Sequence, residues 1–223
     1  MKAVIFTQHG GPEVLTYTDV PDPTPRPDEV LVRVRACALN HLDLFIRKGI
    51  PGIQIPMPHD VGHIGGSDIA GEIAATGELV SGIQVGEKIL LQPGIGCGRC
   101  VACLAGNDNL CRNYTLLGYL VNGGYAEYVC APARNVASMP AGLSFEEAAA
   151  IPLVFITAWH MLVTRAKLQP GEDVLILGGG SGVGTAGIQI AKILGARVIT
   201  TVGSDEKAEK TRALGADEVI VHT

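Results

Sequence analysis

The stretch from Val174 onward carries the clearest pattern of apolar and polar positions. Val174-Leu175-Ile176-Leu177 is a short apolar run rich in branched residues, which suits a parallel strand buried on both faces. Glycines from Gly178 to Gly184 then predict a tight turn into a helix. From Gly182 to about Leu194, the apolar residues Val183, Ala186, Ile190 and Leu194 share one helical face, and Gly195 ends it. Arg197–Val202 reads as a second strand. Ser204 caps a helix from Asp205 to Leu214 that Gly215 closes, and Glu218–Val221 reads as a third strand. Strand–helix–strand–helix–strand is one mononucleotide-binding half of a doubly wound sheet.

Before that the pattern is mostly β. Glu29–Arg35 alternates valines with arginines, as a half-buried strand does. Ile69–Ala75, Lys88–Leu91 and Tyr125–Val129 are further strands by the same reading. Gly10-Gly11-Pro12 reads as a turn and Pro21–Pro27 as an extended surface loop. Asn40–Lys48 reads as a short helix stopped by Gly49. Ser144-Phe145-Glu146-Glu147 is a capping box opening an alanine-rich helix, which Pro152 interrupts or bends. The expected domains are therefore 1–143 and 144–223.

Composition narrows the class. With 47% hydrophobic and 17% charged residues, the chain can build real cores. A net charge of −5 without a basic run argues against nucleic acid as a partner. No apolar run reaches the length of a membrane span, and Met1–Phe6 enters a strand-like run instead of a signal peptide. Six cysteines in such a chain suggest a reducing, cytoplasmic setting.

Two motifs carry chemistry. The glycine turn Gly179, Gly180, Ser181, Gly182, Val183 ends at a helix N-terminus, where free N–H groups and the positive dipole end favour a dinucleotide pyrophosphate. Ser181 stands where the fingerprint wants glycine, so its β-carbon displaces the cofactor slightly or its hydroxyl donates to a phosphate. The second strand ends in Val202-Gly203-Ser204 with no acid for a ribose diol, and Lys207 follows one turn later. That combination predicts NADP(H), with NAD as the alternative. The second motif is Cys97, Cys100, Cys103 and Cys111. Four thiolates close a tetrahedron and leave no open position, so the expected metal is one structural zinc. A disulfide pair, an iron–sulfur cluster and unliganded thiols are the alternatives. Cys37 and Cys130 read as packed thiols.

A four-cysteine lobe ahead of a glycine-rich dinucleotide turn resembles the medium-chain dehydrogenase/reductase family, which includes zinc alcohol dehydrogenases and quinone oxidoreductases. Gly10–Leu15, Gly124–Tyr128 and Leu214–Asp217 agree with it. The resemblance covers the whole chain. It implies an α/β architecture: a GroES-like alcohol dehydrogenase N-terminal domain with a structural zinc lobe, then a partial Rossmann domain. A complete Rossmann sheet needs a second half, so the sequence reads as a fragment or truncated product with strand three as an open edge.

Family alcohol dehydrogenases hold a catalytic zinc at three motifs. Here those positions fall on Asn40, in Asn40-His41-Leu42-Asp43, on Gly66-Ser67-Asp68, and near Leu153. The resemblance therefore implies no catalytic zinc. His59 and His63 offer a rebuilt metal site or, on the plainer reading, two loop histidines. Without a Lewis acid, hydride transfer suits an enone or quinone, or a carbonyl whose charge hydrogen bonds can hold. Asn40 and His41 are the expected donors near the nicotinamide, with Asp43 orienting the loop. Thr157 resembles the segment lining the nicotinamide side. A homo-oligomer follows only by family analogy. The alternative to an enzyme is a truncated, non-catalytic chain that holds zinc.

Overall fold

A computed structural model of the chain describes residues 1–49 and 62–222. It divides into two compact units, Met1–Pro152 and Leu153–Thr223. The division falls later than the 143/144 junction read from the sequence. The reason is the helix opened by Ser144, which packs back onto the first unit.

The first unit contains β1 (Lys2–Phe6), β2 (Thr16–Asp19), β3 (Glu29–Ala38), α1 (His41–Lys48), β4 (His63–Ile64), β5 (Asp68–Thr76), β6 (Lys88–Leu91) and β7 (Gly94–Ile95). It continues through α2 (Val101–Leu104), β8 (Thr115–Leu116), β9 (Tyr128–Pro132), β10 (Val136–Ser138) and α3 (Phe145–Ala149). Among the described residues the strands form sheets in the orders β2-β1-β4, β10-β6-β5-β3-β9 and β7-β8. The alternation in β3 sends Val30 and Val32 into a core with Ile69, Ile73, Ile89, Leu91, Leu117 and Val129. Each such side chain contributes about 1.5–3 kcal/mol. Arg35 pairs instead with Glu72 (3.3 Å) and lies over the ring of Phe145. Ala70, Leu90, Ala148 and Ala149 bury α3 against the sheet.

The β9 strand starts later than the sequence pattern suggests. Gly124 and Tyr125 donate their N–H groups to Gly66 O (2.8 Å) and Gly65 O (3.0 Å), so that segment crosses a turn before it joins the sheet. His63 is a core histidine in β4 and not a loop residue. It is buried, its Nε2 lies 2.9 Å from Gly118 O, and its ring meets Phe6 edge-on. His59 lies outside the described residues.

The second unit holds α4 (Pro152–Trp159), a π-helical continuation over 160–165, β11 (Asp173–Ile176), α5 (Gly182–Ile193), β12 (Arg197–Val202), α6 (Asp205–Ala213) and β13 (Glu218–Val221). Proline at the first position of α4 explains the break after α3. The strands are parallel in the order β11-β12-β13. The middle strand, β12, is the buried one, with Val198, Thr200 and Val202 inside. Within this chain Leu175 is 57% and Leu177 72% exposed. Among the described residues β11 and β13 each pair with one strand, β12. No helix among the described residues is long and apolar enough to cross a membrane.

Candidate functional site

Among the described residues, chemistry-bearing side chains gather at three places. The first is the glycine turn after β11. Gly178 takes φ +69°, and its N–H donates to Thr201 Oγ1 (3.1 Å). Gly179 N–H donates to Thr201 O (2.9 Å), so the turn is tied to β12. Gly184 sits so close to the strand that a β-carbon there would lie 2.3 Å from Gly178 O. Ser181 is the N-cap of α5: its Oγ accepts from Gly184 N–H (3.1 Å) and donates to Gly178 O (2.8 Å). Its hydroxyl proton is therefore committed within the turn, not offered to a phosphate. The N–H groups of Gly180, Gly182 and Val183 make no hydrogen bond among the described residues. Three free donors at the positive end of a helix fit a pyrophosphate.

The adjoining corner holds Gly203, Ser204 and Lys207. Ser204 caps α6 by accepting from Lys207 N–H (3.3 Å). The Lys207 stem lies over the turn, since a β-carbon on Gly180 would come within 3.0 Å of Lys207 Cδ. Its ammonium makes no ion pair among the described residues. A β-carbon on Gly203 would meet nothing within 4 Å. In the same unit, the Thr157 hydroxyl donates to Leu153 O (2.6 Å) along its own helix.

The second place is the start of α1 in the first unit. Asn40 is its N-cap in extended backbone. Asp43 Oδ2 accepts from Asn40 N–H (2.7 Å), and Asp43 Oδ1 accepts from Gly66 N–H (3.2 Å). One carboxylate thus fastens the helix start to the Gly66-Ser67-Asp68 turn. Asn40 Nδ2 donates to Asp68 Oδ2 (2.9 Å), a carboxylate in a residue only 1% exposed. Ser67 is buried, and its Oγ donates to Leu117 O (2.7 Å). Gly66 has φ +95°, and a β-carbon on it would stand 2.8 Å from both Cys37 Sγ and the Tyr125 ring. His41 begins α1 and is exposed. A mostly apolar cavity of about 610 Å³ opens nearby, touching Cys37, Asp43, Gly65 and Tyr125 but neither Asn40 nor His41. Burial, then the Asp43 charge, pushes the Tyr125 phenol above its usual range. Burial likewise raises the thiols of Cys37 and, to about 11, of Cys130, as packed sulfurs require.

The third place is the thiol lobe. The sulfurs of Cys97, Cys100, Cys103 and Cys111 lie within 4.8 Å of one another. The Cys97 and Cys103 sulfurs are 4.0 Å apart, against about 3.8 Å between ligands of a tetrahedral zinc with 2.3 Å bonds. Gly98 takes φ +74° at the bend, and a β-carbon on Gly96 would sit 2.9 Å from Cys103 Sγ. Cys97 N–H donates to Cys111 Sγ (3.3 Å), and N–H groups of Arg99 and Cys100 hold the Cys97 thiol down at about 6. Converging sulfurs with N–H donors behind them fit a zinc, which would be held by all four and used for folding.

Residues 26–141 match the alcohol dehydrogenase GroES-like domain, and residues 182–223 match the zinc-binding dehydrogenase domain. The chain is 40% identical to an alcohol dehydrogenase of Geobacillus stearothermophilus, covering 99% of this chain and 63% of that protein. It is 32% identical to the quinone oxidoreductase of Homo sapiens, covering 100% and 59%. A crystal structure of an NAD-dependent alcohol dehydrogenase superimposes with a TM-score of 0.94 at 51% identity, over 100% of this chain and 64% of that one. A cobalt- and zinc-bound thermostable alcohol dehydrogenase from Pyrobaculum aerophilum gives 0.87 at 33% identity, over 99% and 65%. The chain belongs to the medium-chain dehydrogenase/reductase family, with its GroES-like and Rossmann parts in that order. It spans about 60% of the length of the curated relatives it matches.

Sequence reasoning missed the bond between Asn40 and Asp68. In the sequence Asp68 reads only as the last residue of Gly66-Ser67-Asp68. The question of what satisfies a carboxylate at the start of a buried strand would have led to it.

Proposed function

We propose that the whole protein is an oxidoreductase that transfers hydride between NADP(H) and an enone, quinone or other carbonyl, without a catalytic zinc. The observation that carries this is the Asn40–Asp68 hydrogen bond beside the buried hydroxyl of Ser67. At two of the family's three zinc motifs, this chain presents an amide bonded to a carboxylate and a serine bonded to the main chain. Hydride addition to an isolated ketone builds a full alkoxide, whereas a conjugated acceptor spreads the charge over several atoms. Amide and imidazole donors then suffice. In this reading Asn40 and His41 donate to the acceptor oxygen, His41 protonates product, and Asp43 keeps the loop in register. The substrate is a small molecule, and the setting is cytoplasmic.

Support for the phosphorylated cofactor comes from Lys207, whose stem lies over the turn and whose ammonium makes no ion pair among the described residues, and from Gly203-Ser204 in place of an acid. The neighbouring NAD-dependent structure makes the choice a sharp one to test. Fluorescence titration should give tighter binding of NADPH than of NADH. Gly203→Asp, which has open space for its side chain, should reverse that order by at least about tenfold, or about 1.4 kcal/mol. Tighter NADH binding by the unaltered protein would show that the corner at Gly203 has been misread.

A second reading is a zinc-holding chain without turnover, and it rests on the four converging thiols, which lie within the first unit alone. Light scattering and an NADPH–quinone assay on residues 1–223 alone separate the two. Association without turnover supports the second reading, and a monodisperse, active polypeptide removes it.

A further inference from the structure

We propose that Asp68 is a positioning residue for the reaction, holding the Asn40 amide so that its remaining donor points at the substrate oxygen; this rests on the function proposed above. The terminal torsion of an asparagine is broad and roughly two-fold, so an untethered amide offers N–H or C=O to its surroundings almost at random. A carboxylate can only accept, so the 2.9 Å contact from Asn40 Nδ2 to Asp68 Oδ2 fixes which side of the amide carries nitrogen. The second Nδ2 proton then has one defined direction.

The surroundings keep Asp68 where it is. It opens β5 and pairs with Ala38 of β3, two residues before Asn40. Its residue is almost wholly buried. The turn in front of it is clamped three times: Gly66 N–H to Asp43, Gly124 N–H to Gly66 O, and the Tyr125 ring packed on Gly65 and Gly66. Backbone on both sides of the Asn40–Asp68 contact is therefore fixed, and the amide inherits that rigidity.

A merely structural Asp68 would affect folding and leave turnover per folded molecule alone. The experiment compares Asp68→Leu and Asp68→Asn, each with Asn40 intact and in an Asn40→Ala background, in the whole protein. NADPH oxidation is followed with 1,4-naphthoquinone and with 2-cyclohexen-1-one, and rates are scaled to folded protein measured by thermal melting. Asp68→Leu is expected to lower kcat by about 100-fold with an unchanged KM for NADPH. Asp68→Asn keeps an accepting oxygen and should recover part of that loss. With Asn40→Ala neither change should matter further, because Asp68 acts only through the amide. If Asp68→Leu does not fold, the Asp68→Asn pair of backgrounds carries the comparison alone. Full kcat in Asp68→Leu, or an equal loss with and without Asn40, overturns the positioning role and leaves the proposed function standing. An unaltered protein inert toward both acceptors overturns the function, and the positioning role falls with it.

Discussion

Replacing Cys111 by serine should cost the protein its zinc and the order of the lobe from Cys97 to Cys111. Apparent zinc affinities at four-ligand structural sites amount to about 10–16 kcal/mol, and that free energy is also the lobe's folding energy. Little else holds this segment. Its α2 helix has four residues, and Val101, Leu104 and Leu110 are 86%, 75% and 63% exposed. Cys111 is the buried member of the set and accepts an N–H bond from Cys97, so its loss removes both a ligand and the contact that closes the loop. Elemental analysis should find one zinc per unaltered chain and well below that in the variant. Limited proteolysis should cut within 97–111 only after the substitution or after chelation. Two zincs per chain, or an iron chromophore, would contradict the assignment of the four thiols.

The second large effect is expected from Gly184→Val. The new β-carbon would approach Gly178 O to 2.3 Å and Gly179 Cα to 2.8 Å. Both are main-chain atoms in a turn tied to β12, so no flexible side chain can move aside. Overpacking of this kind typically costs 1–3 kcal/mol, and a backbone clash belongs at or beyond the top of that range, about 3 kcal/mol. The helix must retreat, and the free N–H groups of Gly182 and Val183 move with it. Denaturant unfolding should show the loss in stability, and NADPH titration should show binding fall below detection. Gly203→Val serves as the control for stability alone, since a β-carbon there meets no protein atom within 4 Å. Equal stability of the two variants would refute the role given to the Gly178–Gly184 approach.

Periodicity carried the second unit almost completely. The helix beginning at Gly182 and the strands Arg197–Val202 and Glu218–Val221 lie where their patterns place them, because caps and glycines mark each end. Burial was less legible. Val174–Leu177 has the composition of a strand buried on both faces, and within this chain, which spans about 60% of its relatives' length, Leu175 and Leu177 are exposed. In the first unit, Tyr125 looked like strand because it is aromatic and precedes Tyr128 and Val129. Its ring instead covers two glycines from a distant turn, a contact no local pattern encodes. The four thiols were legible from spacing. The Asn40–Asp68 bond joins positions 28 apart, and only the antiparallel pairing of β3 with β5 brings them together.

That pairing also couples two positions in any redesign. Placing cysteine at Asn40 takes one donor from the buried carboxylate of Asp68, while the Ser67 hydroxyl still faces Leu117 O. A buried charge with fewer partners costs stability, so a change at Asn40 calls for a matching change at Asp68. The two positions are therefore best varied together.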